Sequence, residues 1–258
     1  MRGPVLLPPA PPRFPSPEEH ALAEPNGLLA FGGALTLPWL LLAYNNGIFP
    51  WFNDDSQPII WWSPDPRAVL WPERLKVSRS LRKRLRQQRF EISFDSAFPA
   101  VIHGCAAPAD NRPGTWLTPA MQAAYIDLHE AGIAHSVECW QDGSLAGGLY
   151  GVSLGRMFFG ESMFSRRTDA SKVALVALVE RLKHWQFELI DCQVLNPHTE
   201  SLGAEELPRR TFLQRVRDNQ LAPTRLGNWA NLDVPTVADA VTAVLDSAGI
   251  RAQDRGHE

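Results

Sequence analysis

Cysteine is scarce. Cys105, Cys139 and Cys192 are three in 258 residues, too few and too far apart for a disulfide framework. They form neither a C-x-x-C pair nor a metal quartet with the histidines, so buried, reduced thiols are expected. His20, His103, His129, His135, His184, His198 and His257 show no H-x-x-x-H spacing, and no metal is expected. A phosphate loop and a G-x-G-x-x-G fingerprint are both missing, which leaves no motif for a nucleotide cofactor. Long apolar runs are missing too: the longest, near Leu35 to Tyr44, is interrupted by Pro38 and too short to cross a bilayer. The N-terminus is broken by prolines and carries no signal-peptide core. A cytoplasmic protein without a membrane partner is the expectation. Neither sign of charge dominates, since 25 basic residues face 28 acidic ones for a net −3. Any nucleic acid must therefore be met by a local patch. There are no internal repeats.

The 45% apolar content is enough for a real core at this length. Residues 1 to about 17 are too rich in proline for a helix or a central strand, so an extended arm with a disordered first part is expected. Turns follow at Pro25-Asn26-Gly27 and Gly32-Gly33, then a short helix from Thr36, its N-cap, to Asn45. Phe49, Trp51, Phe52, Trp61 and Trp62 crowd the next stretch around a polar hairpin-like loop at Asn53 to Gln57, and suit a packing module or a cleft wall. Glu73 to Arg89 is the one strongly basic run. Leu81 and Leu85 give it an apolar edge, and Arg79, Arg82, Lys83, Arg84, Arg86 and Arg89 favour a phosphate-contacting patch, with a solvated helix face the alternative.

From His135 the pattern becomes that of an α/β sheet. Strands HSVECW, SLAGGLYGVSL and GRMFFGESMF lead to a helix capped by Thr168 or Asp169 and running toward Trp185, then to the strand ELIDCQVL. Strands flanking a crossover helix are usually parallel neighbours, which brings Glu161 near Asp191. A period of two puts Asp191 and Gln193 on one face and Cys192 on the other. The Gln193 amide can then donate to Asp191 and accept from an incoming amine, an arrangement suited to aligning an amine against an activated carbonyl; a strand-end pair that pins the next loop is the alternative. Glu161 follows Gly160, where a strand can bulge, and either pairs with Arg156, Arg166 or Arg167 or offers its charge to a cationic substrate. Trp51 and Trp116, with Trp61 and Trp62, are aromatic faces near the basic run, as nucleic-acid ends use for stacking, although most tryptophans are simply packed. A helix capped by Thr118, with Pro119 in its first turn and Gly132 beyond its end, precedes these strands. Another, over TFLQRVRDNQ, and a short amphipathic one in TVADAVTAVLDSAGI follow them.

The stretches GIFPWF, IIWWSPDPRAVLWPE, TWLTPAM, GESMFSR, IDCQVLNPHTESLGA and PRRTFL, in this order, make the chain resemble the leucyl/phenylalanyl-tRNA–protein transferase family from about Phe14 to Leu213. The resemblance implies a small N-terminal domain (1–67), a GNAT-like acyltransferase domain with a mixed sheet (68–232) and a tail of unknown role (233–258). It implies transfer of Leu or Phe, with Met also open, from aminoacyl-tRNA to the N-terminal Arg or Lys of a protein, marking it for degradation. No cofactor is implied, and a monomer is expected. Carried over, the catalytic residues are Asp191, Gln193 and Glu161. Trp51 and Trp116 stack on the tRNA terminal adenosine, Leu149, Phe158 and Met163 line the side-chain pocket, and the basic run holds acceptor-stem phosphates. Ala34, Asn45, Asn46 and Asp169 depart from the usual family residues. A CoA-dependent N-acyltransferase would need a pyrophosphate loop, and RRTDAS lacks its glycines. A non-catalytic tRNA-binding module is the remaining alternative.

Overall fold

The fold was read from a computed structural model that describes residues 3–108 and 115–231. The tail from 233, with its expected amphipathic helix, lies outside the described residues. In chain order the elements are β1 (Val5–Leu7), α1 (Pro17–His20), β2 (Leu28–Gly32), α2 (Leu37–Tyr44), β3 (Phe49–Pro50), β4 (Ile60–Trp62), β5 (Arg67–Leu70), α3 (Arg79–Arg86), β6 (Glu91–Phe94) and α4 (Phe98–Ala106). They continue with α5 (Pro119–Glu130), β7 (Ala134–Gln141), β8 (Ser144–Leu154), β9 (Met157–Ser165), α6 (Ala170–His184), β10 (Leu189–Gln193), α7 (Pro197–Ser201), β11 (Glu205–Leu207) and α8 (Arg209–Asn219).

A four-stranded sheet runs β1-β2-β4-β3 and a seven-stranded one runs β11-β5-β10-β9-β8-β7-β6. The proline-rich arm is ordered earlier than expected: Val5–Leu7 pairs in parallel with β2, on the edge of the small sheet, where proline on either side costs no ladder bond. In the large sheet β6 to β9 form an antiparallel meander, and α6 then crosses over to set β10 parallel to β9. This is the mixed sheet expected of the acyltransferase domain. Every α6 residue from Val173 to Val179 is buried, as suits a helix lying against a sheet.

Alternate residues of each central strand face two different apolar layers. Val69, Tyr150, Phe159 and Leu189 pack with α2, α4, α5 and the small sheet, whereas Leu70, Leu149, Phe158 and Ile190 pack with α6. The two sheets therefore share one core on the first side. Helix starts follow local chemistry: Thr118 accepts from the Met121 amide at 3.3 Å and Ser78 from Leu81 at 3.2 Å. Two expected caps differ. Thr36 sits at its N-cap position without a side-chain bond, and Asp169 takes a left-handed φ of 68° while its carboxylate faces Lys172 and Arg84, both at 3.6 Å.

Candidate active site

The strand pattern bends at two places, and the polar groups gather there. On β9, Tyr150 of β8 pairs with Ser162 while Gly151 pairs with Gly160, so Glu161 is the unpaired residue of a β-bulge. Gly151 opposite has no room for a side chain: a Cβ there would lie 2.3 Å from the Phe159 carbonyl oxygen. The second break is on β10, where the pairing with β5 shifts between Asp191 and Gln193 and Gln193 adopts a φ of 61°.

These bends change which atoms meet. Tyr44, at the end of α2, donates to Glu161 Oε1 and Tyr125 of α5 donates to Oε2, each at 2.8 Å, and the two hydroxyls are 2.6 Å apart. Gln193 Nε2 donates to Glu161 Oε1 at 3.0 Å. The expected side-chain bond from Gln193 to Asp191 is thus replaced: the Gln193 backbone N–H donates to Asp191 Oδ1 at 2.9 Å, because the left-handed residue turns its side chain toward β9. Of the two readings of Glu161, the ion pair with an arginine gives way to these hydrogen bonds. Arg156 pairs with Glu188 instead, and Arg166 lies over the Phe164 ring. Burial pushes the Glu161 carboxyl up to about 7, with hydrogen bonds from Tyr125, Tyr44 and Gln193 opposing and the Asp191 charge adding to the rise. Burial also raises both tyrosines well above their ordinary value, so they stay protonated donors.

Asp191 turns the other way. Fully buried, it takes a two-pronged salt bridge from Arg67 of β5, Nε to Oδ1 at 2.8 Å and Nη2 to Oδ2 at 2.6 Å. The cleft is instead lined from β10 by Ile190, Cys192 and Gln193. Cys192 was expected on the opposite face; with its thiol raised to about 12, mainly by burial, it stays neutral.

The cleft holds about 510 Å³. Trp51 and Trp116 line it, and Trp51 is 48% exposed although its carbonyl accepts from the Trp62 indole. Trp61 is fully buried, a packing residue. Leu149, Phe158 and Met163 form an apolar wall with Leu70, Leu175, Leu178 and Ile190, while His198 and Thr199 of α7 border it. His198 Nε2 is 3.3 Å from Met163 Sδ. A roomier surface depression, about 860 Å³ and lined by Glu18, Asp65, Arg209, Arg210, Thr211, Gln214 and Arg217, includes none of these groups and has no apolar wall. On α3, Arg79, Lys83 and Arg86 are exposed and Arg82 is partly so, while Arg84 is engaged with Asp169 and Gln87. None of the five lines the cleft.

Arg67, Tyr44 and Tyr125 were not anticipated. Tyr44 and Tyr125 read locally as apolar helix positions, and only the folded contact with Glu161 distinguishes them. For Arg67 the signal was a lone charge opening the apolar run RAVL.

The family model described as leucyl/phenylalanyl-tRNA protein transferase matches residues 69–217, and the model of that protein's N-terminal domain matches residues 33–65. The leucyl/phenylalanyl-tRNA–protein transferase of Aromatoleum aromaticum is 58% identical over 220 residues, covering 85% of this chain and 88% of that one. The protein of that name from Stutzerimonas stutzeri is 55% identical over 226 residues, covering 88% and 94%. Among solved structures, a GCN5-related N-acetyltransferase from Kribbella flavida covers 67% of this chain and 60% of its own at 14% identity, with a TM-score of 0.32, too slight a likeness to build on.

Proposed function

The chain belongs to the leucyl/phenylalanyl-tRNA–protein transferase family, and on that premise we propose that it moves Leu or Phe, with Met a further candidate, from aminoacyl-tRNA to the N-terminal Arg or Lys of a protein. A new peptide bond forms, and the modified protein is marked for degradation. The observation that carries the reading is the union, in one cleft, of an apolar chamber, two tryptophans at the wall and a carboxylate bonded to a neutral amide. An apolar aminoacyl group fits the chamber, and a cationic N-terminus fits the carboxylate.

An aminoacyl ester is already activated, so its aminolysis needs alignment and a free amine more than a strong acid. In the proposed sequence Glu161 takes one proton from the acceptor ammonium. The freed nitrogen, guided by the Gln193 amide oxygen, attacks the ester carbonyl carbon. The bond from that carbon to the ribose oxygen breaks, and the oxygen leaves with a second proton of the amine. The third amine hydrogen stays on the new amide. Asp191, facing Arg67, supports Gln193 without touching the cleft. Trp51 and Trp116 stack on the terminal adenosine, Leu149, Phe158 and Met163 receive the side chain, and Arg79, Arg82, Lys83, Arg84 and Arg86 hold phosphates of the acceptor stem.

The division at 67/68 into a small N-terminal and a larger catalytic domain belongs to this proposal, as does action in the cytoplasm as a monomer. Among the described residues no helix is long and apolar enough to cross a membrane.

The deciding experiment is transfer of labelled Leu from Leu-tRNA to a peptide beginning with Arg or Lys, against the same peptide beginning with Ala. Transfer to the basic peptides alone, lost in folded Glu161→Gln, is expected. Equal transfer to all three peptides overturns the acceptor assignment, and tRNA binding without any transfer overturns the reaction.

A further inference from the structure

Arg67 is nearly sealed from water, 1% exposed, yet every prong of its guanidinium has a partner. Nε and Nη2 grip Asp191, and Nη1 donates to the Gly47 carbonyl at 3.2 Å. The planar group also lies 4.7 Å from the ring centres of both Phe49 and Phe212. One side chain thus ties together the end of β10, the turn after α2 and the buried face of α8. Gly47 has a φ of 66°, and a Cβ on it would meet Leu213 at 2.5 Å, so this turn is pressed against α8 as well. Two residues past Phe49 comes Trp51.

A buried ion pair is not in general more stable than a pair of apolar side chains of the same volume, so its presence here calls for a geometric role. Asp191 has that role in its third bond. Oδ1, already held by Arg67 Nε, also accepts from the Gln193 backbone N–H, and this contact fixes the left-handed residue whose side chain reaches Glu161. Resting on the transfer reaction proposed above, we propose that Arg67 is a positioning residue, fixing through Asp191 the turn that aims Gln193 and through Gly47 and Phe49 the segment that carries Trp51. Asp191 is then the link in this chain rather than a proton acceptor, since Arg67 occupies both its oxygens.

The test uses the full-length protein. Wild-type transfer to an Arg-initiated peptide is measured first, and its absence would refute the reaction, not this inference. Two variants follow: Arg67→Met with Asp191→Leu, which removes both charges together, and Arg67→Lys, which keeps a cation but loses the fork. Each is read by melting temperature, by kcat and KM for Leu-tRNA, by the pH profile, and by hydrogen exchange at the Gln193 amide. The double variant is expected to stay folded while kcat falls at least tenfold, exchange at Gln193 speeds up and the limb of the pH profile persists, moved toward lower pH because the Asp191 charge no longer raises Glu161. Arg67→Lys is expected to show a smaller loss of kcat with the same faster exchange, and it decides the matter if the double variant does not fold. Wild-type kcat in either folded variant would overturn the proposal. Loss of the pH limb in the double variant would do so too, because Asp191 would then itself be the base.

Discussion

Replacing Glu161 by Gln should make the protein sturdier and nearly inactive at the same time, and the two effects should share one pH dependence. An ordinary glutamate titrates at 4.5, and burial at the bulge pushes Glu161 up to about 7. Because the folded chain holds this proton more tightly than the unfolded one, the benefit is complete below about 4.5 and is lost as the pH rises through 7. A difference of about 2.5 pH units corresponds to about 3 kcal/mol at 1.36 kcal/mol per unit, and the opening to the cleft reduces this to about 2 kcal/mol. Glutamine, close in shape and uncharged, avoids that cost. The variant should therefore melt with the wild type near pH 4.5 and about 4–8 °C above it at pH 8.5. Over the same range wild-type kcat/KM should rise with an inflection near 7. The variant should lose that limb and at least 100-fold in rate, the scale of a missing proton acceptor. Parallel melting curves across the whole pH range would show that Glu161 carries no unusual proton affinity, and the reasoning from its burial would fail.

Other parts of the molecule give simpler expectations. Trp51→Ala, at a half-exposed position, should leave the melting temperature within about 1 °C and raise KM for aminoacyl-tRNA about tenfold, as the loss of one base-stacking platform does; an unchanged KM would remove Trp51 from the adenosine site. Substituting Arg79, Lys83 and Arg86 with Ala should flatten the dependence of log K for tRNA on log salt by about 2–3 units, and an unaltered slope would assign the phosphates elsewhere. Thr118→Ala removes the bond to the Met121 amide and should cost about 1 kcal/mol in a denaturant titration without altering the transfer rate at saturating substrate. Gly151→Ala would set a methyl group against the Phe159 carbonyl and move the bulge, so transfer should fall well before secondary structure is lost by circular dichroism.

Much of the fold could be read from local pattern: the runs of β7 to β9 read as strands bounded by glycine turns, α5 is closed by Thr118 and Gly132, and the crossover made β9 and β10 parallel neighbours as expected. The arm was misjudged at Val5–Leu7, since strand addition at an edge depends on β2 being there to receive it. In the candidate site, the nearness of Glu161 to β10 followed from topology, and the bulge at Glu161 from Gly160. The pairing of side chains did not follow. Strict alternation assigns Gln193 to Asp191, and a single left-handed residue cancels that assignment. Arg67 lies 124 positions from Asp191 along the chain, and Tyr44 lies 117 from Glu161, so no local period relates them.

The three short contacts among Tyr44, Tyr125 and Glu161 have a consequence that emerges on counting hydrogens. Each edge of this triangle, at 2.6, 2.8 and 2.8 Å, needs a hydrogen between its oxygens, and the two phenols bring only two. While the carboxylate is charged both phenols donate to it, so the edge between them has no hydrogen of its own. A proton on Glu161 supplies the third: the carboxyl gives it to one phenol, that bond turns round, and the freed phenol hydrogen closes the edge between Tyr44 and Tyr125. With the carboxylate charged, lone pairs of the two phenols face each other, and that edge is expected to lengthen. A proton arriving at Glu161 does more than neutralise a charge: it closes a loop that ties α2, α5 and β9 together.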